Sequence, residues 1–363
     1  MKPVYAYLLA ALAAFAAGCS QPRYVTIDGA MLGTTFHVVA RTSAPAPRLY
    51  AGMMRIDAEM KASMSIFDPA SRLSRINAGV TDTLDCHILR NIAVAGEINR
   101  ISGGFYDITV KPLTEAYGFA GGEGADNPDL DSLLRFVGFD RFHIEGSRIV
   151  KDDARVQIDL NSIAKGYTVD LAAGFLESVG CSDYIVEIGG EIRARGVNPR
   201  GERWRVAVDS PFDGNSSPGE FRQTVVEVND CAMATSGNYR RFRTDACGRR
   251  INHTIDPRTG RSVCSRLLSA TVIARDCMRA DALGTMFMAM GDERAIAAAT
   301  AMRDSVRVYF ILAPRAADGS AANAAAGATE EGAVGGQGAA VAEPQEYEIF
   351  STLGGGAVNE KVR

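Results

Sequence analysis

The spacing of apolar positions changes several times along the chain, and each change marks an element. Residues 24–40 alternate and are rich in β-formers around Gly33-Thr34-Thr35, which predicts an opening strand or hairpin. From residue 50 to 64 the period turns helical, with Met53, Ile56, Met60 and Met64 on one side. Residues 88–102 repeat that spacing and stop at Gly103-Gly104, and residues 168–179 repeat it again before Gly180. Short strands are predicted over 184–188, 191–195, 204–209 and 224–228, then a helix over 277–290 and a strand over 305–312. Helices and strands mix without regular βαβ alternation, so the pattern favours an α+β fold over a doubly wound sheet. Residues 316–342 are almost wholly Ala, Gly, Ser and Glu, too poor in apolar surface to offset their ordering entropy. A disordered loop is expected there. Because 347–353 reads as a strand, the loop should join two strands of a final hairpin.

The N-terminus alters the picture. Lys2 precedes a run of small and apolar residues from 4 to 17, shorter than the roughly 20 residues a membrane span needs. A basic start, a short apolar run and small residues at its end describe a secretory signal over residues 1–18. Ala16-Ala17-Gly18-Cys19 resembles the bacterial lipoprotein box, in which Cys19 would become the lipid-bearing first residue. The expected location is therefore the periplasmic side of the cell membrane. At 47% hydrophobic and 23% charged the remaining chain can bury a core, and a net charge of −4 gives no reason to expect nucleic acid. Besides Cys19 there are Cys86, Cys181, Cys231, Cys247, Cys264 and Cys277; an exported chain permits up to three disulfides among them, or buried free thiols. None of the cysteine and histidine spacings suits a structural zinc ion.

Five glycine-bearing polar stretches concentrate the candidate chemistry. Asp159-Leu160-Asn161-Ser162-Ile163-Ala164-Lys165-Gly166-Tyr167 runs from a strand end into a helix, so Lys165 either meets a phosphate near exposed amides or is a solvated lysine beside a capping turn. Ala280-Asp281-Ala282-Leu283-Gly284-Thr285 places Asp281 and Thr285 four apart, on one helical face. One carboxylate and one hydroxyl, completed by water and phosphate, suit Mg²⁺; the bland alternative is a first-turn acid and an intrahelical hydroxyl. Asn252-His253-Thr254-Ile255-Asp256-Pro257-Arg258-Thr259-Gly260 embeds His253 in a polar turn, as a general acid–base candidate or as a structural histidine. His37, His87 and His143 read as strand or surface positions. Gly103-Gly104-Phe105-Tyr106-Asp107 offers close backbone approach with aromatics for a flat ring. Glu187-Ile188-Gly189-Gly190-Glu191 breaks a strand pair and is equally a plain tight turn. The GxGxxG and Walker patterns are absent, which weakens Rossmann and P-loop readings.

In this order the stretches resemble the ApbE-type FAD:protein FMN transferases over about residues 27–292. Leu32-Gly33-Thr34-Thr35, residues 71–77, residues 107–113, Ala234-Thr235-Ser236-Gly237 and the motifs above carry the resemblance together. It implies an α+β, T-fold-like architecture spanning 19–363, with FAD in an extended groove. It further implies Mg²⁺ held by the side chains of Asp281 and Thr285 and the backbone carbonyl of Ser162. FAD contacts would fall at Leu32, Phe67, Phe105, Tyr106, Asp107, Asp159, Lys165 and Ile255, with His253 near the pyrophosphate. Leu32 stands where many members carry methionine, and Phe67 where tyrosine is common. That region influences, in some members, whether FAD is transferred or hydrolysed. The implied reaction attaches FMN to a threonine or serine of a partner, as in subunits of membrane redox pumps, and releases AMP. An FAD pyrophosphatase and a non-catalytic flavin-binding lipoprotein are the rival readings.

Overall fold

The computed structural model describes residues 21–120, 124–211, 222–238, 242–245, 250–315, 347–354 and 358–362. Residues 1–20, with Cys19, the Ala/Gly-rich segment 316–342 and Cys247 lie outside the described residues. Eight α-helices are described: α1 (Ala46–Met64), α2 (Arg72–Asn77), α3 (Cys86–Ser102), α4 (Lys111–Ala116), α5 (Leu130–Leu133), α6 (Ala164–Ser178), α7 (Cys277–Met290) and α8 (Asp292–Ala301). The strands are β1 (Arg23–Met31), β2 (Thr34–Thr42), β3 (Phe142–Glu145), β4 (Arg148–Lys151), β5 (Tyr184–Ile188), β6 (Glu191–Arg195), β7 (Arg205–Asp209) and β8 (Arg222–Glu227). They continue with β9 (Cys231–Gly237), β10 (Phe242–Thr244), β11 (Arg250–Asn252), β12 (Leu267–Ala274), β13 (Arg307–Leu312), β14 (Tyr347–Ser351) and β15 (Val358–Val362).

Nine strands form one sheet in the order β1-β2-β5-β6-β9-β12-β13-β14-β15, and every neighbouring pair is antiparallel. Alternate side chains therefore enter two different cores. Val308, Phe310 and Leu312 of β13 join the larger core under the helices, while Tyr309 and Ile311 join a smaller core with Trp204, Val208 and Val226. That second face is covered in part by the β7–β8 hairpin. The α+β expectation is met, and β13 pairs with β14, as the sequence pattern anticipates.

Local chemistry fixes the ends of the elements. The β1–β2 hairpin turns through Leu32 and Gly33, with φ of 51° and 74°, the doubly left-handed turn that follows the twist of paired strands. Leu32 tolerates this unusual backbone while its N–H donates to Asp57 Oδ1 on α1 at 2.8 Å. Asp85 caps α3 by accepting from the Ile88 N–H at 2.9 Å, and Gly103 ends it at φ 64°. Helix α7 is apolar on nearly every side, and accordingly 12 of its 14 residues are buried (Arg279 and Thr285 are the others). It lies across β9 and β12 and against α6, which in turn packs on β5 and β6. Five cysteines, Cys86, Cys181, Cys231, Cys264 and Cys277, carry free thiols, so no disulfide forms among the described residues.

Candidate active site

Where α6, α7, β6 and β9 meet the loop at 252–260, the chain encloses a cavity of about 810 Å³. This is within the range of small-molecule sites, and its walls mix aromatic, hydroxyl and charged side chains. The strand-to-helix turn before α6 contributes Asp159, Ser162 and Lys165; α7 contributes Asp281 and Thr285; the polar loop contributes His253 and Ile255. Phe105, Tyr106 and Asp107 enter from the segment after α3. Residues separated by nearly 180 positions thus share one chamber.

The charges at its floor are unbalanced. Lys165 Nζ forms an ion pair with Glu191 at the start of β6, whose side chain is only 3% exposed. Asp281 is also buried, and one of its oxygens, Oδ2, accepts from the Gly166 N–H at 2.9 Å. Burial first, and then the neighbouring Glu191 carboxylate, pushes the Asp281 carboxyl up to about 7, against the opposing pull of Lys165 and the Gly166 amide. Burial alone would lower Lys165, yet Glu191 and Asp281 outweigh it and hold the ammonium above its ordinary value. Two buried carboxylates thus face one ammonium, and a further positive charge would relieve them.

The donor set fits a hard divalent cation. Asp281 and Thr285 line the cavity one helical turn apart, and Ser162 lines it from the turn opposite. Among the described residues no three His, Cys, Asp or Glu side chains cluster as a preformed cage. A cation here would draw on one carboxylate, a hydroxyl and a carbonyl, and complete its shell with water or phosphate oxygens, the habit of Mg²⁺. The Ser162 hydroxyl itself is engaged with Tyr106 Oη at 2.9 Å. Burial raises the Tyr106 phenol far above its usual range, so it stays protonated and serves as a hydrogen-bonding post.

The aromatic residues occupy another part of the wall. The Arg258 guanidinium lies 3.4 Å over the Phe105 ring. Phe119 meets His253 edge-on, with ring centroids 6.3 Å apart and planes at 69°. Asp107 lines the cavity, but its Oδ1 accepts from Thr109 N–H (2.8 Å) and Oγ1 (2.6 Å), and its Oδ2 from Asn99 Nδ2 (3.2 Å). Its carboxylate is therefore committed to shaping the turn, and burial raises it.

The sequence profile of the ApbE family matches residues 32–310. The chain belongs to the ApbE family. It is 36% identical over 296 residues to the FAD:protein FMN transferase of Vibrio cholerae, covering 78% of this chain and 87% of that one. It is 31% identical over 331 residues to the FAD:protein FMN transferase of Haemophilus influenzae, covering 86% and 94%. Its fold superposes on the flavin transferase ApbE from Vibrio cholerae with a TM-score of 0.71 at 33% identity, covering 82% of this chain and 96% of that structure.

Ten of the residues expected in the ApbE site line the one cavity: Phe105, Tyr106, Asp107, Asp159, Ser162, Lys165, His253, Ile255, Asp281 and Thr285. Leu32 and Phe67 do not. Leu32 stands at the tip of the β1–β2 hairpin, and Phe67 is 64% exposed in the loop after α1. His37 sits on β2 and His143 on β3, both exposed, whereas His87 lies in the first turn of α3 and bonds Tyr167 Oη at 3.0 Å. Sequence reasoning passed over Glu191 as a site residue, because a glycine pair before a carboxylate reads as a simple turn. The available signal was a lone acid opening a strand two residues before Arg193, so that both face the helix carrying Lys165 and Asp170.

Proposed function

We propose that this chain is a Mg²⁺-dependent FAD:protein FMN transferase. The observation that carries the reading is the placement of Asp281, Thr285 and Ser162 beside the Lys165–Glu191 ion pair, in one cavity with His253 and the Phe105 and Phe119 rings. In this reaction the hydroxyl oxygen of an acceptor threonine or serine attacks the FMN-side phosphorus of FAD. The pyrophosphate P–O bond breaks, and AMP leaves. Lys165 binds pyrophosphate charge, and Glu191 keeps that lysine charged and oriented. Phe105 and Phe119 border the space for the flat ring system. His253 takes the proton from the acceptor hydroxyl as the new P–O bond forms, a role suited to imidazole near neutral pH. Bound Mg²⁺, held by Asp281, Thr285 and the Ser162 carbonyl, would neutralise the pyrophosphate and stabilise AMP as leaving group.

The acceptors we propose are subunits of membrane redox pumps that carry FMN on a threonine, reached from the periplasmic side. Lipid on Cys19 would hold the enzyme there. The discriminating experiment follows AMP release from FAD with and without an acceptor subunit. A transferase releases AMP in step with acceptor labelling and only slowly without acceptor, whereas equal release in both marks a pyrophosphatase and refutes the proposal. FAD that binds but yields no AMP under either condition refutes it in favour of a carrier.

A further inference from the structure

Helices α6 and α7 cap each other behind the cavity. Helix α6 begins at Ala164 with no side-chain cap from its own flank. Its third residue, Gly166, donates its N–H to Asp281 Oδ2 on α7. In return Asp170 of α6 accepts from the first two amides of α7: Cys277 N–H to Oδ1 at 3.0 Å and Met278 N–H to Oδ2 at 2.9 Å. The third, Arg279 N–H, goes to Asp276, the cap that α7 carries itself, at 2.9 Å. First-turn amides have no partner inside their own helix, so each carboxylate satisfies orphan donors of the other. Arg193 of β6 completes the arrangement, donating to Asp170 Oδ1 at 2.6 Å.

The two caps are not equivalent. Asp281 lines the cavity and has a second use there, whereas Asp170 does not line it. A perturbation at Asp170 therefore reaches the site through the elements it ties together, most directly the placement of α7. Its amide bonds fall at Cys277 and Met278, one turn before Asp281 and two before Thr285, so they set both the register and the tilt of that helix. When Asp281 turns toward a cation, its bond to Gly166 is the contact most exposed to competition. The Asp170 bonds share no atom with the cavity and would hold α7 regardless.

We propose that Asp170, braced by Arg193, is a positioning residue that fixes Asp281 and Thr285 for the metal, an inference that rests on the Mg²⁺ reading above. Residues that support metal ligands typically change affinity or activity by about 10–100-fold when removed. One step further out, Asp170→Ala should raise the half-saturating metal concentration by about tenfold, the lower end of that range.

The test measures the Mg²⁺ dependence of FAD turnover at saturating FAD, the binding of Mn²⁺ by electron paramagnetic resonance with ADP present, and the melting temperature. Asp170→Ala should shift both metal curves to higher concentration while the rate at saturating metal largely recovers. Asp170→Asn keeps one acceptor oxygen and should fall between parent and alanine. Should Asp170→Ala fail to fold, Asp170→Asn and Arg193→Gln carry the test, each with a smaller shift of the same sign. Variants with a lowered melting temperature and parental metal curves would show a purely structural cap and overturn the proposal. A parent enzyme that turns over FAD equally well in EDTA would overturn the metal reading and the positioning role together; a metal-requiring parent with unshifted variants removes the positioning role alone.

Discussion

Gly166→Ala probes the closest approach of α6 to α7, and its cost follows from the geometry. A Cβ at Gly166 would lie 2.3 Å from the Cys277 carbonyl oxygen, 2.7 Å from its carbon and 2.8 Å from Asp281 Cβ. Carbon pairs prefer about 3.5–4.0 Å, and two of these atoms are backbone, so the helices must part rather than a side chain swing away. Overpacking of this kind costs about 1–3 kcal/mol. Parting the helices also weakens the Gly166–Asp281 bond, and hydrogen bonds to charged groups are worth about 1.5–3 kcal/mol. Alanine regains at most about 1 kcal/mol of helix propensity, less in a first turn. The net expectation is a loss of about 2–4 kcal/mol together with a weakened response to Mg²⁺. Gly174, on the same helix with nothing within 4 Å of its Cβ position, is the internal control. Gly174→Ala should gain up to about 1 kcal/mol. Urea unfolding followed by far-UV circular dichroism measures both, alongside FMN transfer. A Gly166→Ala protein as stable as Gly174→Ala, with the parental metal dependence, would refute the reasoning.

Other consequences are equally open to measurement. Because Asp281 is raised to about 7, its protonated form favours folding fully below the unfolded pKa near 3.9, and that benefit is lost as pH rises through about 7. In EDTA the melting temperature should therefore fall between about pH 4 and 7 and level off above, less so in Asp281→Asn, and Mg²⁺ should restore it most at the alkaline end; parallel curves for parent and variant would contradict this. His253→Ala should bind FAD nearly normally yet transfer FMN about 10²–10⁴-fold more slowly, with the loss easing as pH rises; fluorescence of the labelled acceptor in a gel reads it, and a parental rate would remove His253 from the chemistry. Arg266, with a side chain 8% exposed, pairs with Asp292 and Glu348, so Arg266→Met should cost about 3 kcal/mol in urea unfolding. Cys19→Ser should leave the protein out of the membrane fraction, which cell fractionation and immunoblotting would show.

Long periodic elements were the most legible part of the sequence. The helix at 277–290 matches α7 residue for residue, because an uninterrupted apolar run leaves few alternatives. Helix α6 starts four residues before the predicted 168, since Gly166 reads as a breaker and the Asp281 carboxylate that stabilises its amide is 115 residues away. Helix α8 and strand β12 drew no prediction. The first is Ala-rich with only Ala295 and Ala299 buried, so its apolar stripe is faint; the second is buried on both faces, with Ser269 and Thr271 among its apolar residues, which hides the alternation of a strand. The same limit governs the site. Asp281 and Thr285 were readable as a pair because helical spacing joins them locally. Glu191 gains its meaning only from Lys165 across the fold, and Asp170 only from the amides of α7.

The most direct test of the central claim is the intact mass of an acceptor subunit after incubation with this protein, FAD and Mg²⁺. The account predicts one added FMN on a threonine or serine, one AMP released per acceptor labelled, and neither product with EDTA or with Asp281→Ala. An unmodified acceptor beside FAD that has been fully split to FMN and AMP would contradict it.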